Sequence, residues 1–122
     1  MLFSSDYAYP GLPNSEKYIG ILVKQELRKN WLLYSDGDYF NLNKIPTNWI
    51  GKVDLFHYDS SKFYKDKEST IKKVSKYLSD NAFIIFDDIQ DDLFFYDLVS
   101  KKNYSYFKII KFKNKYLGVI KL

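Results

Sequence analysis

Acidic residues stand where predicted β-strands end in this 122-residue chain. Four apolar runs, LFSS, WLLYS, VDLFHY and AFIIF, are followed by Asp6, Asp36, Asp38, Asp59, Asp87 and Asp88. In α/β sheets, ligands bind beyond the carboxyl ends of the strands. Converging carboxylates can hold a hard divalent cation such as Mg²⁺, and they can also accept hydrogen bonds from ribose or sugar hydroxyls. The pattern therefore predicts a binding site at one rim of the sheet.

Each of these acids has a second interpretation as a helix cap, and Asp59 with Ser60 is placed to cap the helix that follows. Four acidic strand ends in succession, with the doubled Asp87–Asp88, favour a functional site. His57 lies inside its strand. It is either a general base or a structural histidine with one hydrogen-bonded ring nitrogen. Lys62 is a catalytic or substrate-orienting ammonium, or one of many solvated lysines.

The composition excludes several classes of protein. The chain has no cysteine and a single histidine, which removes disulfide frameworks, zinc knuckles, thiol nucleophiles and multi-histidine metal cages. Apolar residues make up 46% of the sequence, enough for the core of one domain. No run reaches the roughly 20 apolar residues of a membrane span. The N-terminus lacks the layout of a secretory signal, so we expect a cytoplasmic protein without a membrane partner.

The net charge of +4 raises a third hypothesis for function, binding of single-stranded nucleic acid through tyrosine, phenylalanine and lysine side chains. Acidic residues are interleaved with the basic ones, and the acids beside the candidate site would repel phosphates. A solvated lysine-rich surface is the favoured interpretation, and nucleic acid ranks last among the expected partners.

The apolar pattern predicts an alternation of strands and helices. The predicted strands are Leu2–Ser4, Trp31–Ser35, Val53–Tyr58 and Ala82–Phe86, the last buried on both faces. The predicted helices are 15–29, 62–78 (ended by Asn81) and 91–100, with a loop or short helix over 39–50. A terminal hairpin joins 106–112 to 116–121 across Asn114–Lys115. This order predicts one α/β domain over 1–122, with a mostly parallel sheet and a C-terminal antiparallel β-hairpin.

Two segments, GKVDLFHYDSSKFYKD and YLSDNAFIIFDDI, resemble the second half of class I S-adenosylmethionine-dependent methyltransferases, in particular the O-methyltransferase-like group. The first motif is matched by Asp54, Leu55, Phe56, Asp59, Ser60 and Tyr64, and the second by Phe83, Ile84, Ile85, Asp87 and Asp88. Upstream, the stretch from SSDYAYPG to LLYSDGD is similar to the region that follows that group's second strand.

The resemblance implies a partial Rossmann-like sheet and O-methyl transfer from S-adenosylmethionine to a small molecule or sugar. By position, it implies that Asp59, Asp87 and Asp88 are the ligands of a metal such as Mg²⁺. Lys62 falls where related groups have lysine or histidine. The resemblance further implies that Asp6 binds the ribose of the cofactor and that Asp38 lies at its adenine.

The chain departs from the family's pattern at two places. The glycine-rich loop after the family's first strand has no counterpart, so the chain is expected to begin at the second strand, and Ser79–Asn81 replace the usual glycine pair. Two functions therefore stay open. One is the methyltransferase; the other is a truncated, non-catalytic domain that self-associates or serves as an accessory subunit. In the second case a homo-oligomer or a partner chain would fill the place of the missing strand.

Overall fold

The computed structural model describes residues 1–102 and 104–122, which divide into unit 1 (Met1–Ile45) and unit 2 (Pro46–Leu122). Unit 1 contains β1 (Leu2–Ser5), α1 (Gln25–Arg28), β2 (Trp31–Tyr34) and α2 (Asp38–Asn41), with 3-10 helices at Ser15–Tyr18 and Leu42–Lys44. Its two strands pair in parallel from Leu2 opposite Trp31 to Ser5 opposite Tyr34. The indole nitrogen of Trp31 donates a hydrogen bond to Ser4 Oγ at 2.8 Å, which fixes the start of β2 against β1.

The predicted helix over 15–29 is wrong. A 3-10 helix covers Ser15–Tyr18, and regular helix returns only at Gln25. Gly20 has a φ of 70°, a left-handed conformation that interrupts a right-handed helix, and a Cβ there would lie 2.3 Å from the Trp31 ring. The apolar spacing that predicted the helix does not correspond to a buried stripe, since Leu22 is 94% exposed.

Unit 2 contains a 3-10 helix at Thr47–Trp49, β3 (Val53–Tyr58), α3 (Tyr64–Val74), a 3-10 helix at Ser75–Tyr77, β4 (Leu78–Phe86), a 3-10 helix at Ile89–Asp91, α4 (Phe94–Lys101), β5 (Tyr106–Phe112) and β6 (Lys115–Lys121). The strand order is β3-β4-β6-β5. The β3–β4 pair is parallel, and the pairs β4–β6 and β6–β5 are antiparallel. The α/β class and the terminal hairpin are confirmed, but the turn of the hairpin is Lys113–Asn114 and not Asn114–Lys115, because Phe112 pairs with Lys115. The sheet of unit 2 is mixed and not mostly parallel, because the hairpin returns along β4.

Two element boundaries in unit 2 differ from the prediction for physical reasons. Strand β4 begins at Leu78, so Asn81 lies inside a strand and does not end the helix. The backbone N–H groups of Gly51 and Lys52 donate to the carbonyls of Lys76 and Tyr77. The end of the predicted helix is therefore hydrogen-bonded to the segment that precedes β3. Helix α4 begins at Phe94 and not at 91.

The core of unit 2 lies on one face of its sheet. Phe86 is at its centre, with ring centroids 5.6 Å from Phe94 and 5.9 Å from Phe95. Both α3 and α4 contribute residues that pack against this cluster. The prediction that 82–86 is buried on both faces is therefore wrong: on the other face Phe83 is 41% exposed.

The longest helix in the described parts of the chain, α3, has 11 residues. No helix there has the length and apolar character that crossing a bilayer requires.

Candidate functional site: a carboxylate cluster at the ends of β3 and β4

Three carboxylates meet where the parallel strands β3 and β4 end. Asp59 follows β3, while Asp87 and Asp88 follow β4. The last residues of the two strands, Tyr58 and Phe86, are partners in the sheet, and the Asp87 N–H donates to the Tyr58 carbonyl at 2.9 Å. One oxygen from each of the three carboxylates lies within 4.8 Å of the others. We call this group the carboxylate cluster.

The turn after β4 places the two neighbouring aspartates of the cluster. Asp88 has a φ of 50° and a ψ of 46°, in the left-handed region, which aspartate tolerates better than most residues. Its N–H donates to Asp87 Oδ1 at 2.9 Å. Asp88 is only 7% exposed, so this turn buries a charged group that then needs partners.

Two lysines supply those partners. The Lys62 ammonium donates to Asp88 Oδ2 and lies 3.7 Å from Asp59 Oδ1. The Lys115 ammonium lies 3.3 Å from Asp87 Oδ2 and 3.2 Å from Asp88 Oδ1. Three carboxylates therefore face two ammonium groups, so the cluster with its lysines carries one net negative charge.

These contacts shift the pKa values of the groups involved. The hydrogen bond from Lys62, with further ones from Gln90 and Lys115, lowers the pKa of Asp88 to about 2 against the opposing effect of burial. Burial acts to lower the pKa of Lys62, but the hydrogen bond and attraction of Asp88 outweigh it and raise that pKa. Hydrogen bonds to Asp88 and Asp87 also raise the pKa of Lys115. At neutral pH, Asp88 is therefore an anion and both lysines are cations.

Sequence reasoning missed Lys115 and Gln90. Gln90 Nε2 donates to Asp88 Oδ1 at 3.2 Å, and its Oε1 accepts the Tyr116 N–H at 3.0 Å, so it links the cluster to the start of β6. Lys115 reaches the cluster because β6 pairs with β4. The hairpin itself was predicted, but its partner strand and register depend on tertiary packing and leave no local signal.

His57 is not a member of the carboxylate cluster. It lies on β3 directly before the buried Tyr58 and is itself exposed. Because neighbouring residues of a strand point to opposite faces, His57 lies on the face opposite the core. Its catalytic role, like that of Lys62, stays a prediction.

The predicted cofactor residues belong to unit 1. Asp6 Oδ1 accepts the N–H of Tyr7 at 2.7 Å, and Asp38 Oδ1 accepts the Ser5 hydroxyl at 2.5 Å. Asp36 forms an ion pair with Lys44 at 2.5 Å. The sequence predicted that all the strand-end acids share the rim of one sheet. This prediction is wrong, because their strands belong to two separate sheets, β1–β2 and β3-β4-β6-β5.

No protein-family model and no curated protein matches this chain. Among solved structures, the chain is similar to a candidate methyltransferase from Streptococcus mutans, whose crystal structure is in complex with SAH. The sequence identity is 16% and the TM-score is 0.48, over 98% of this chain and 84% of that one.

Proposed function

We propose that this chain is an S-adenosylmethionine-dependent methyltransferase-like protein that transfers a methyl group to an oxygen of a small molecule or sugar. The observation that carries the proposal is the convergence of Asp59, Asp87 and Asp88, with one oxygen from each inside a 4.8 Å span. Two motifs that resemble the O-methyltransferase-like group contain these same aspartates.

The residues present fit a divalent cation. Two oxygens on opposite sides of a bound cation lie about 4.2 Å apart for Mg²⁺ and about 4.8 Å apart for Ca²⁺, close to the span of the cluster. Carboxylates are the donors that such cations prefer, and Asp88 is ionised at every physiological pH. When bound, a cation would polarise the acceptor hydroxyl and stabilise the negative charge that develops on its oxygen.

Lys62 has a distinct part in this proposal. Its ammonium donates to Asp88 and lies near Asp59, so it competes with an incoming cation for the same oxygens. A lysine with a raised pKa stays protonated, which makes Lys62 a hydrogen-bond donor toward the acceptor oxygen and not a general base. We therefore assign it the orientation of the substrate.

Asp6 and Asp38 are the proposed cofactor ligands of unit 1. Each uses its Oδ1 for a local hydrogen bond, and Asp6 is exposed. The Oδ2 atoms can accept hydrogen bonds from hydroxyl or amino groups of a nucleoside. When bound, S-adenosylmethionine would supply the methyl group to the acceptor oxygen, and the proton of the acceptor hydroxyl would pass to solvent.

A specific observation favours the second candidate, a non-catalytic domain. The oxygens of Asp88 already receive hydrogen bonds from Lys62, Lys115 and Gln90, so this buried carboxylate is fully paired within an ion-pair network. In this case the chain acts through self-association or as an accessory subunit, and the acids hold the end of the sheet together.

Isothermal titration calorimetry with S-adenosylmethionine, with and without Mg²⁺, separates the two candidates. The methyltransferase proposal predicts saturable binding of the cofactor by the full chain. It also predicts that D87N/D88N abolishes the Mg²⁺ heat, while the matched double variant D91N/D54N, with acids outside the cluster, retains it. Absence of cofactor heat under both conditions would leave the non-catalytic domain as the function.

A further inference from the structure

The net positive charge of the chain arises from one hairpin. The segment from Tyr106 to Lys121, here called the basic hairpin, contains β5, β6 and their turn. It contains five lysines and none of the fifteen acidic residues of the chain: Lys108, Lys111, Lys113, Lys115 and Lys121. With a net charge of +4 for the whole sequence, the rest of the chain carries no positive excess.

Most of these lysines have no acidic partner among the residues that the structure describes. Lys115 pairs with the carboxylate cluster, but none of the other four has a carboxylate within 4.0 Å in the described ranges 1–102 and 104–122. The ammonium groups of Lys111, Lys113 and Lys121 lie over aromatic rings, 5.5 to 5.8 Å from the ring centroids.

Two exposed aromatic side chains flank a lysine on the face of the sheet opposite the core, here called the open face. Lys121 of β6 is paired with Phe83 of β4 on one side and with Tyr106 of β5 on the other. Cross-strand partners share a face, so the three side chains form a row across neighbouring strands. Phe83 is 41% and Tyr106 is 46% exposed, and Lys108 lies on the same face two residues beyond Tyr106.

We propose that the open face binds single-stranded nucleic acid, with bases stacked on Tyr106 and phosphates held by Lys108 and by Lys121, whose ammonium lies over the Phe83 ring. Exposed aromatic rings between lysines are the combination by which proteins bind single strands, because every base offers a stacking face and every nucleotide a charge. A duplex keeps its bases stacked inside and cannot reach the rings in this way.

The charge pattern disfavours two other occupants. A second copy paired edge to edge through β5 would bring the lysines of two basic hairpins together, and lysines on an edge strand act against such pairing. A membrane surface requires apolar and charged side chains on separate faces. On β5 they are mixed, since Lys108 and Lys111 point to opposite faces, each beside apolar residues.

Fluorescence anisotropy with labelled 12-nucleotide single strands, at 50 to 200 mM salt, tests the proposal. We expect binding that weakens with salt, with a slope of log K against log salt of about −0.7 for each phosphate contact. K108Q/K121Q removes two contacts and should reduce the slope by about 1.4. F83A/Y106A should weaken binding about tenfold or more, with the salt slope retained.

The matched control is K65Q/K72Q, which removes the same charge from exposed positions of α3. It should bind like the parent chain; an equal loss in the control would show an effect of net charge alone and overturn the proposal. Three other results would overturn it: no binding at 50 mM salt, equal affinity for a duplex, or capture by phosphatidylserine vesicles in place of oligonucleotides. The test is independent of the proposed methyl transfer, because none of the four residues belongs to the carboxylate cluster.

Discussion

The two units contain the same pattern, a parallel pair of strands followed by acidic residues, and use it differently. In unit 1, the ends of β1 and β2 are joined by a neutral side chain: Asn41 is completely buried and its Nδ2 donates to Ser5 Oγ and to the carbonyls of Asp6 and Tyr34. In unit 2, the corresponding ends carry the carboxylate cluster and two lysines. The difference shows that acids at the ends of paired strands do not converge by position alone; in unit 2, the left-handed turn at Asp88 and two lysines accompany the convergence.

Disruption of the packed core under the carboxylate cluster has the largest expected effect among the changes that test this comparison. Phe86, which ends β4 directly before Asp87, packs against Phe94 and Phe95. We expect F86A to lower the free energy of unfolding by about 3–5 kcal/mol, through lost burial and the resulting cavity. Urea unfolding followed by circular dichroism measures this. The control L22A, at the most exposed leucine of unit 1, should change stability by less than about 0.5 kcal/mol.

In unit 1, the contact between the ends of β1 and β2 depends on Asn41. N41A removes the three hydrogen bonds that the buried amide donates to Ser5 Oγ and to the carbonyls of Asp6 and Tyr34, although each of these groups keeps one other partner. We expect a loss of about 1–3 kcal/mol in the same unfolding measurement. Asn43 is a matched control, because it is exposed and donates only to the Tyr39 carbonyl at 3.3 Å. Equal effects of N41A and N43A would show that buried hydrogen bonds do not hold these strand ends together.

The acid limb of a pH titration tests the charged rim of unit 2. The pKa of Asp88 is lowered from 3.8 to about 2, so its contribution to stability is complete above about pH 5 and is lost as the pH falls through 3.8 toward 2. D88N should flatten this part of the stability profile. A D88N profile as steep as that of the parent chain would contradict the assigned ion pairs.

The smallest expected effect concerns Lys62. If its ammonium competes with a divalent cation for Asp59 and Asp88, K62Q should strengthen Mg²⁺ binding about fivefold, which corresponds to about 1 kcal/mol for a partly exposed ion pair. Calorimetry measures the change, and K65Q provides a control of equal charge. Weaker binding in K62Q would show that the lysine assists the cation.

The sequence predicted the type and order of most strands because these runs are strongly apolar and bounded by turn residues. Strand β3 has the predicted bounds Val53–Tyr58. The helix over 15–29 failed because the left-handed Gly20 and its contact with Trp31 are tertiary features. For the site, the motifs identified Asp59, Asp87 and Asp88. Lys115 could not be predicted, because its approach to the cluster depends on the pairing of β6 with β4.

Paramagnetic broadening of amide NMR signals by substoichiometric Mn²⁺ tests the central claim, that the carboxylate cluster of unit 2 is a divalent-cation site. We expect early and selective broadening at residues 58–62 and 86–90, reversed by Mg²⁺ and absent in D87N/D88N. Signals around Asp6, Asp36 and Asp38 should persist, because those acids do not form such a cluster. Broadening at the unit 1 acids first, or evenly along the chain, would contradict the claim.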